Sequence, residues 1–427
     1  MPTFRHPGTV LTDHTFALPL DHGDPGGPTI EVYAREVVGA GQQDAGLPWL
    51  VFLQGGPGGA SPRPIGRADW LDRALQDYRV LLLDQRGTGR STPATRQTLA
   101  SLGSAQAQAG YLAHFRADSI VRDAELIRRE LTGGEPWAAL GQSYGGFCAV
   151  SYLSLAPEGL REVLITGGLP GLAATADDVY RATYPRVAAK TAEHYRRYPG
   201  DVGQAKKVAR HLRDHDVRLP DGGRFTVEAF QSLGRMLGMS TGSHALHYLI
   251  ENPFAGGELA DAFLHQAQAA IRLGGPLYGV LHEACYAQGD VPTRWAAQRV
   301  RAEFPAFDPD TPLDSDAPLM FTGEMIYPWM IESDPLLAPL AEASGLLAER
   351  AGWPRLYDPV TLAGCTVPAA AAVYFDDMYV DAGFSLATAK AIDGLRPWVT
   401  NQYEHDGLRV SNGGVVGRLI DMVRGVA

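Results

Sequence analysis

The amino-acid sequence predicts an α/β protein: a mostly parallel sheet flanked by helices, with a long helical segment inserted between its strands. Three observations carry this. Short apolar strand candidates alternate with helical patterns through residues 1–170, the signature of strand–helix–strand units. From about Gly171 to residue 355 the chain turns into long helical patterns rich in Ala, His, Arg and Tyr, with few strand candidates. Strand candidates resume only at Val367. The division that follows is a first core segment over 1–170, a helical cap over 171–355 and a second core segment over 356–427. At 427 residues the chain is too long for one minimal core and fits a core plus a second unit.

The chain begins with a hairpin pattern: Phe16–Leu20, a turn over Asp21–Pro28, then Ile30–Val38 with alternating faces. Next, the apolar run Trp49–Leu53 enters Gln54-Gly55-Gly56-Pro57-Gly58-Gly59. Such a strand-end glycine loop lets a backbone N–H approach a developing oxyanion without a side chain intruding. A phosphate loop would need a following Gly-Lys-Ser/Thr, which is missing. A fourth strand candidate, within Tyr78–Leu83, ends in Asp84-Gln85-Arg86-Gly87-Thr88-Gly89-Arg90-Ser91, whose charges predict a loop locked by charge-assisted bonds.

The segment Pro136–Leu140 reads as a strand, Gly141-Gln142-Ser143-Tyr144-Gly145 as a tight turn, and Gly146–Leu153 as a buried helix. This matches the Gly-x-Ser-x-Gly nucleophile elbow, in which a strained strand-to-helix turn exposes a serine hydroxyl. Ser143 is the candidate nucleophile, and the N–H groups of Tyr144 and Gly56 are the candidate oxyanion donors. In this arrangement the acid and the histidine follow the serine in that order. Only one histidine, His405, lies beyond residue 285, directly after the last strand candidate Trp398–Thr400. The apolar run Pro368–Phe375 ends in Asp376-Asp377, and either carboxylate can orient His405.

These motifs, in this order and spacing, resemble the proline iminopeptidases, α/β-hydrolases that remove N-terminal proline from peptides. The resemblance covers roughly residues 48–165 and resumes near 365–410. It implies an α/β-hydrolase fold with an inserted helical cap, a Ser143–Asp377–His405 triad, and short peptides with N-terminal proline as partners. Asp377 is preferred to Asp376 by analogy with the family's strand-end pattern. Gln54 stands where the family usually has His, and Gln142 and Tyr144 stand where shorter members carry Gly and Trp. Neither change removes a backbone donor; what they affect is substrate size.

A triad alone serves esterases and peptidases alike, and a small-ester or amide hydrolase is the competing reading. Action at an N-terminus further needs a carboxylate for the free ammonium, because a buried charge must be paired. The candidates are Glu283, in a Glu-x-x-Tyr segment resembling the family's acidic cap segment, and Glu324, the sole charge in Phe321–Met330. Phe321, Tyr327 and Trp329 are candidates to line a slot for the proline ring. No cofactor or metal is expected: His211/His215 and His244/His247 lack the Glu of a His-Glu-x-x-His site. The net charge of −11 without a sustained basic run argues against nucleic acid. No apolar run approaches a membrane span. The polar N-terminus predicts no signal peptide, and three cysteines without pairing spacing fit a reducing compartment. A cytoplasmic protein is the expectation.

Overall fold

The computed structural model describes residues 2–65 and 70–426. Its strands are β1 (Thr3–His6), β2 (Thr9–Pro19), β3 (Thr29–Gly39), β4 (Trp49–Leu53), β5 (Arg79–Leu83), β6 (Trp137–Gln142), β7 (Leu160–Thr166), β8 (Phe254–Ala255), β9 (Glu258–Leu259), β10 (Ala369–Tyr374) and β11 (Leu395–Thr400). Nine of them form one sheet in the order β1-β2-β3-β5-β4-β6-β7-β10-β11. The stretch from β5 to β11 is parallel throughout, whereas β1, β2 and β3 are antiparallel. The lead-in hairpin is longer than its apolar runs alone predict. Thr9–Thr15 also pair with β3, and β1 adds an edge strand whose burial is too slight to leave an alternating apolar signature.

Alternation along each strand sorts side chains to two faces. Val51, Leu53, Leu81, Leu83, Ala139, Val163 and Ala371 pack under helices Ala117–Thr132 and Tyr144–Leu155. Leu50, Phe52, Val80, Leu82, Leu140 and Ala372 pack with Trp70, Leu419 and Ile420 on the other face. Burial on both faces explains why β4, β5 and β10 read as continuous apolar runs. Pro397 is tolerated in β11 because that strand is an edge.

Between β7 and β10 the described elements are helices apart from the two-residue strands β8 and β9, which pair as a separate ribbon. The longest of these helices, Ala176–Arg197, starts with a capping box in which Thr175 and Asp178 exchange bonds. The apolar core of this insertion includes Tyr184, Phe230, Phe321, Tyr327 and Ile331 and is continuous with Leu99, Leu112 and Phe115 of the first segment. That core reaches Met378 and Tyr379 beyond the end of β10. None of the described helices is long and apolar enough to cross a membrane.

Candidate active site

Ser143 lies at the end of β6 with φ 55° and ψ −125°, immediately before the helix Tyr144–Leu155. The turn is possible only because the residues two positions away on each side, Gly141 and Gly145, lack side chains. A Cβ on Gly145 would come within 1.9 Å of the Leu53 carbonyl oxygen, and one on Gly141 within 2.4 Å of the Gly145 carbonyl oxygen. The Ser143 N–H donates to the Thr166 carbonyl of β7 at 2.9 Å, which holds the turn to the next strand. Tyr144 opens the helix, so its N–H has no intrahelical acceptor and points outward at the helix start. Beside it runs the loop after β4: a Cβ on Gly55 would come within 2.9 Å of Ser143 Cβ.

Three side chains from three separated segments converge here. His405 Nε2 is 2.8 Å from Ser143 Oγ, and His405 Nδ1 is 2.6 Å from Asp377 Oδ2. Asp377, buried, also accepts the N–H groups of Tyr379 (2.8 Å) and Val380 (3.1 Å) on Oδ1, so both its oxygens are engaged. Asp376, the other candidate acid, is exposed. Burial acts to lower the His405 pKa, but the charge and hydrogen bond of Asp377, with a further contribution from Glu324, outweigh it and raise the pKa above the ordinary histidine value. The Tyr379 ring stands edge-on to the imidazole at 4.8 Å and 87°.

Ser143 and His405 open into a cavity of about 950 Å³. The glycine loop including Gly56, together with Gln54 and Gln142, lines one side; Arg235, Leu277, Tyr278 and Glu324 of the insertion line the other. Glu324 Oε1 accepts the Tyr278 hydroxyl at 2.6 Å, so one oxygen has a fixed partner while the residue still borders the cavity. Glu324 thus stands on the same wall-to-wall space as the serine.

The other predicted cap residues are not brought to that space. Glu283 is buried away from the cavity lining, where Oε2 accepts Ala296 N–H at 3.0 Å and Oε1 accepts Ala297 N–H at 2.9 Å. It caps the first amides of the helix Ala296–Arg301, and burial pushes its pKa up to about 7 against the lowering effect of those amides. Phe321 packs edge-on to Phe230 inside the insertion. The Tyr327 hydroxyl shares a hydrogen bond with that of Tyr184 at 2.8 Å, and Trp329 stacks on Tyr327. These three rings build the insertion's interior rather than the cavity wall. The residues unseen in the sequence are Tyr278, Arg235 and Tyr379. A signal for the first was available: Gly274-Gly275-Pro276 precedes Leu277 and Tyr278, a glycine-rich loop like those that border the serine.

Residues 48–252 match the model of the α/β hydrolase fold family. Over 419 residues the chain is 50% identical to a proline iminopeptidase of Aeromonas sobria, covering 98% of this chain and 97% of that protein. The chain belongs to the proline iminopeptidase family. It is also 36% identical over 417 residues to the proline iminopeptidase aneH of Aspergillus aculeatus, covering 94% of this chain and 92% of that one. A probable proline iminopeptidase of Streptomyces coelicolor is 37% identical, but over only 28% of this chain and 33% of its own length.

In this family member the loop after β5 is locked by charge, as its composition predicts. Asp84 Oδ1 accepts the Ser61 N–H and Arg63 Nη1, each at 3.0 Å, and Oδ2 accepts the Arg90 N–H at 2.8 Å. Arg86, fully buried, pairs with Asp123 at 2.6 and 2.7 Å and donates to the carbonyls of Pro19, Leu20 and His114. Gln85 Nε2 reaches the Gln54 carbonyl at 3.1 Å, which ties this loop to the glycine loop beside Ser143. The Tyr144 side chain is packed with Phe147 in the core and does not line the cavity, whereas Gln54 and Gln142 do. Among the histidine pairs, His247 Nδ1 meets Asp201 at 3.0 Å and His211 stacks on His215 at 4.2 Å.

Proposed function

We propose that this protein is a prolyl aminopeptidase, a serine exopeptidase that releases N-terminal proline from short peptides through an acyl-enzyme. The observation that carries the reading is a hydrogen-bonded Ser143–His405–Asp377 relay opening on a cavity that also holds the carboxylate of Glu324. His405 takes the serine proton as Oγ attacks the scissile carbonyl, while Asp377 fixes the imidazole tautomer and stabilises the imidazolium. The N–H groups of Tyr144 and Gly56 receive the oxyanion; one such donor is worth about 10²–10³ in rate. His405 then protonates the leaving amine, and water cleaves the prolyl ester with His405 again as base. None of these steps calls for a metal or cofactor.

Glu324 is the residue that reads the substrate's ammonium, with Tyr278 holding its carboxylate and Leu277 and Tyr379 offering apolar surface to the ring. Glu283 has no part in this, because both its oxygens are committed to backbone amides. Residues 171–355 act as a cap between the core segments 1–170 and 356–427. A reducing, cytoplasmic setting suits three buried cysteines that stand as free thiols.

The test is a substrate panel: proline arylamide, other amino-acid arylamides, N-acetylproline arylamide and short acyl esters. Proline arylamide should have the highest kcat/KM and the N-acetylated substrate should not be cleaved. Ready cleavage of the N-acetylated compound, with acyl esters preferred, would replace this reading with a general esterase.

A further inference from the structure

We infer that Arg186 and Lys190 are positioning residues for the reaction, holding the acid and the base of the Ser143 relay from the helical insertion. The inference rests on the relay proposed above. Both residues lie on the helix Ala176–Arg197, four positions apart, and so project from the same face. Arg186 Nε meets Asp381 Oδ2 at 2.5 Å, and its Nη1 donates to the Phe375 carbonyl at 3.0 Å. These two contacts bracket Asp377 in the chain. Asp381 also caps the helix Ala382–Ala391 by accepting the Phe384 N–H at 2.9 Å, so Arg186 grips the acid's segment where it is anchored at its far end. One turn further on, Lys190 Nζ donates to Glu404 Oε1 at 2.5 Å, next to His405 in sequence.

Between the two cations, Val187 abuts the third functional segment. A Cβ on Gly323, beside Glu324, would come within 2.5 Å of Val187 Cγ2 and 2.9 Å of Met378 Cε. A single helical turn therefore touches the chain neighbours of Asp377, His405 and Glu324. The base is held by the insertion at further points: the His405 N–H donates to the Gly238 carbonyl at 3.0 Å, and the Ser240 hydroxyl donates to Asp406 Oδ1 at 2.6 Å.

Lys190 is buried and Glu404 partly so, and an ion pair taken out of water brings little net stability. What it does bring is direction, because charge-assisted bonds are short and geometrically strict. A relay needs that strictness, since a misplacement of about 1 Å can cost about 10²-fold in rate.

The test uses the full-length protein with Lys190→Met, Arg186→Met, Lys190→Arg, the single variant Glu404→Lys and the charge-swapped pair Lys190→Glu with Glu404→Lys. The measurements are kcat and KM on proline arylamide, the rate of Ser143 labelling by an organophosphonate, and the low-field proton resonance of the His405–Asp377 hydrogen bond. For both Met variants, kcat and the labelling rate should fall together by about 10- to 100-fold while KM changes by less than about threefold, and the resonance should shift or broaden. Lys190→Arg should keep most of the rate, and the swapped pair should exceed the Glu404→Lys single variant. Folded Met variants with wild-type kcat, labelling rate and resonance would overturn the inference. If Lys190→Met does not fold, a folded swapped pair no faster than Glu404→Lys overturns it instead. Should Ser143→Ala retain turnover, the relay itself falls; should Ser143→Ala be inactive while the Arg186 and Lys190 variants match wild type, only this inference falls.

Discussion

At the scale of single residues, two adjacent aspartates and two glutamates separate by their partners. Asp377 spends one oxygen on His405 and the other on two backbone amides, while Asp376 faces solvent. Asp377→Asn should lower kcat on proline arylamide by about 10⁴-fold, because an amide there favours the wrong imidazole tautomer. Asp376→Asn should leave it close to wild type, and steady-state kinetics of the two variants decide the assignment. Glu324→Gln should reduce kcat/KM for proline arylamide by about tenfold to several hundredfold, the worth of a bond to a charged group, and reduce uncharged ester hydrolysis much less. Glu283→Gln should instead cost about 0.5–2 kcal/mol of stability, as for a lost helix cap, and move both substrates equally. Thermal melts alongside the same two assays separate these outcomes.

At the scale of elements, the elbow was legible because its requirements fall on five consecutive residues, even where the backbone that they must clear belongs to another strand. The β6–turn–helix junction needs glycine where backbone meets backbone, so the pattern survives in the sequence as letters. Gly145→Ala would drive Cβ to 1.9 Å from the Leu53 carbonyl oxygen, and should destabilise the fold by at least about 3 kcal/mol, as overpacking does at its worst. Gly203→Ala, on the exposed side of the helix Asp201–Asp214 with nothing within 4 Å of its Cβ, should instead stabilise by about 0.5–1 kcal/mol. Urea unfolding of both variants checks the contrast. His405 and an aspartate to orient it were legible as candidates beyond the ends of two strands, but the strand end offered Asp376 and Asp377 alike, and only the family resemblance preferred Asp377. Roles within the insertion were not legible, because the fate of an acidic or aromatic residue there depends on how helices pack. Glu283 and Glu324 look alike in sequence, each set among apolar neighbours, yet one caps a helix and the other borders the cavity. Phe321 and Tyr327 went the same way: the insertion needs large rings for its own core before any can be spared for a substrate.

At the scale of the molecule, charge on the insertion and charge on the core act together on His405. Asp377 and, more distantly, Glu324 raise its pKa against burial. The base must be neutral to accept the serine proton, so kcat/KM should fall as pH drops through a midpoint above the ordinary histidine value of about 6.5. For stability the sign is opposite. A group whose folded pKa is raised stabilises the fold below its unfolded pKa, and that contribution is lost as pH rises through the folded value. Glu324→Gln should move the acid limb of the activity profile down, and a profile insensitive to that change would remove Glu324 from the electrostatics of the site.

The central claim is that Ser143, activated across the interface between the core strands and the C-terminal segment, performs the cleavage. The most direct measurement is kcat/KM of folded Ser143→Ala on proline arylamide, with folding verified by circular dichroism and melting temperature. The predicted result is a loss of about 10⁴–10⁶-fold, as for removal of a triad nucleophile. Retention of more than about a tenth of the wild-type value, where a triad nucleophile should cost orders of magnitude, would contradict it.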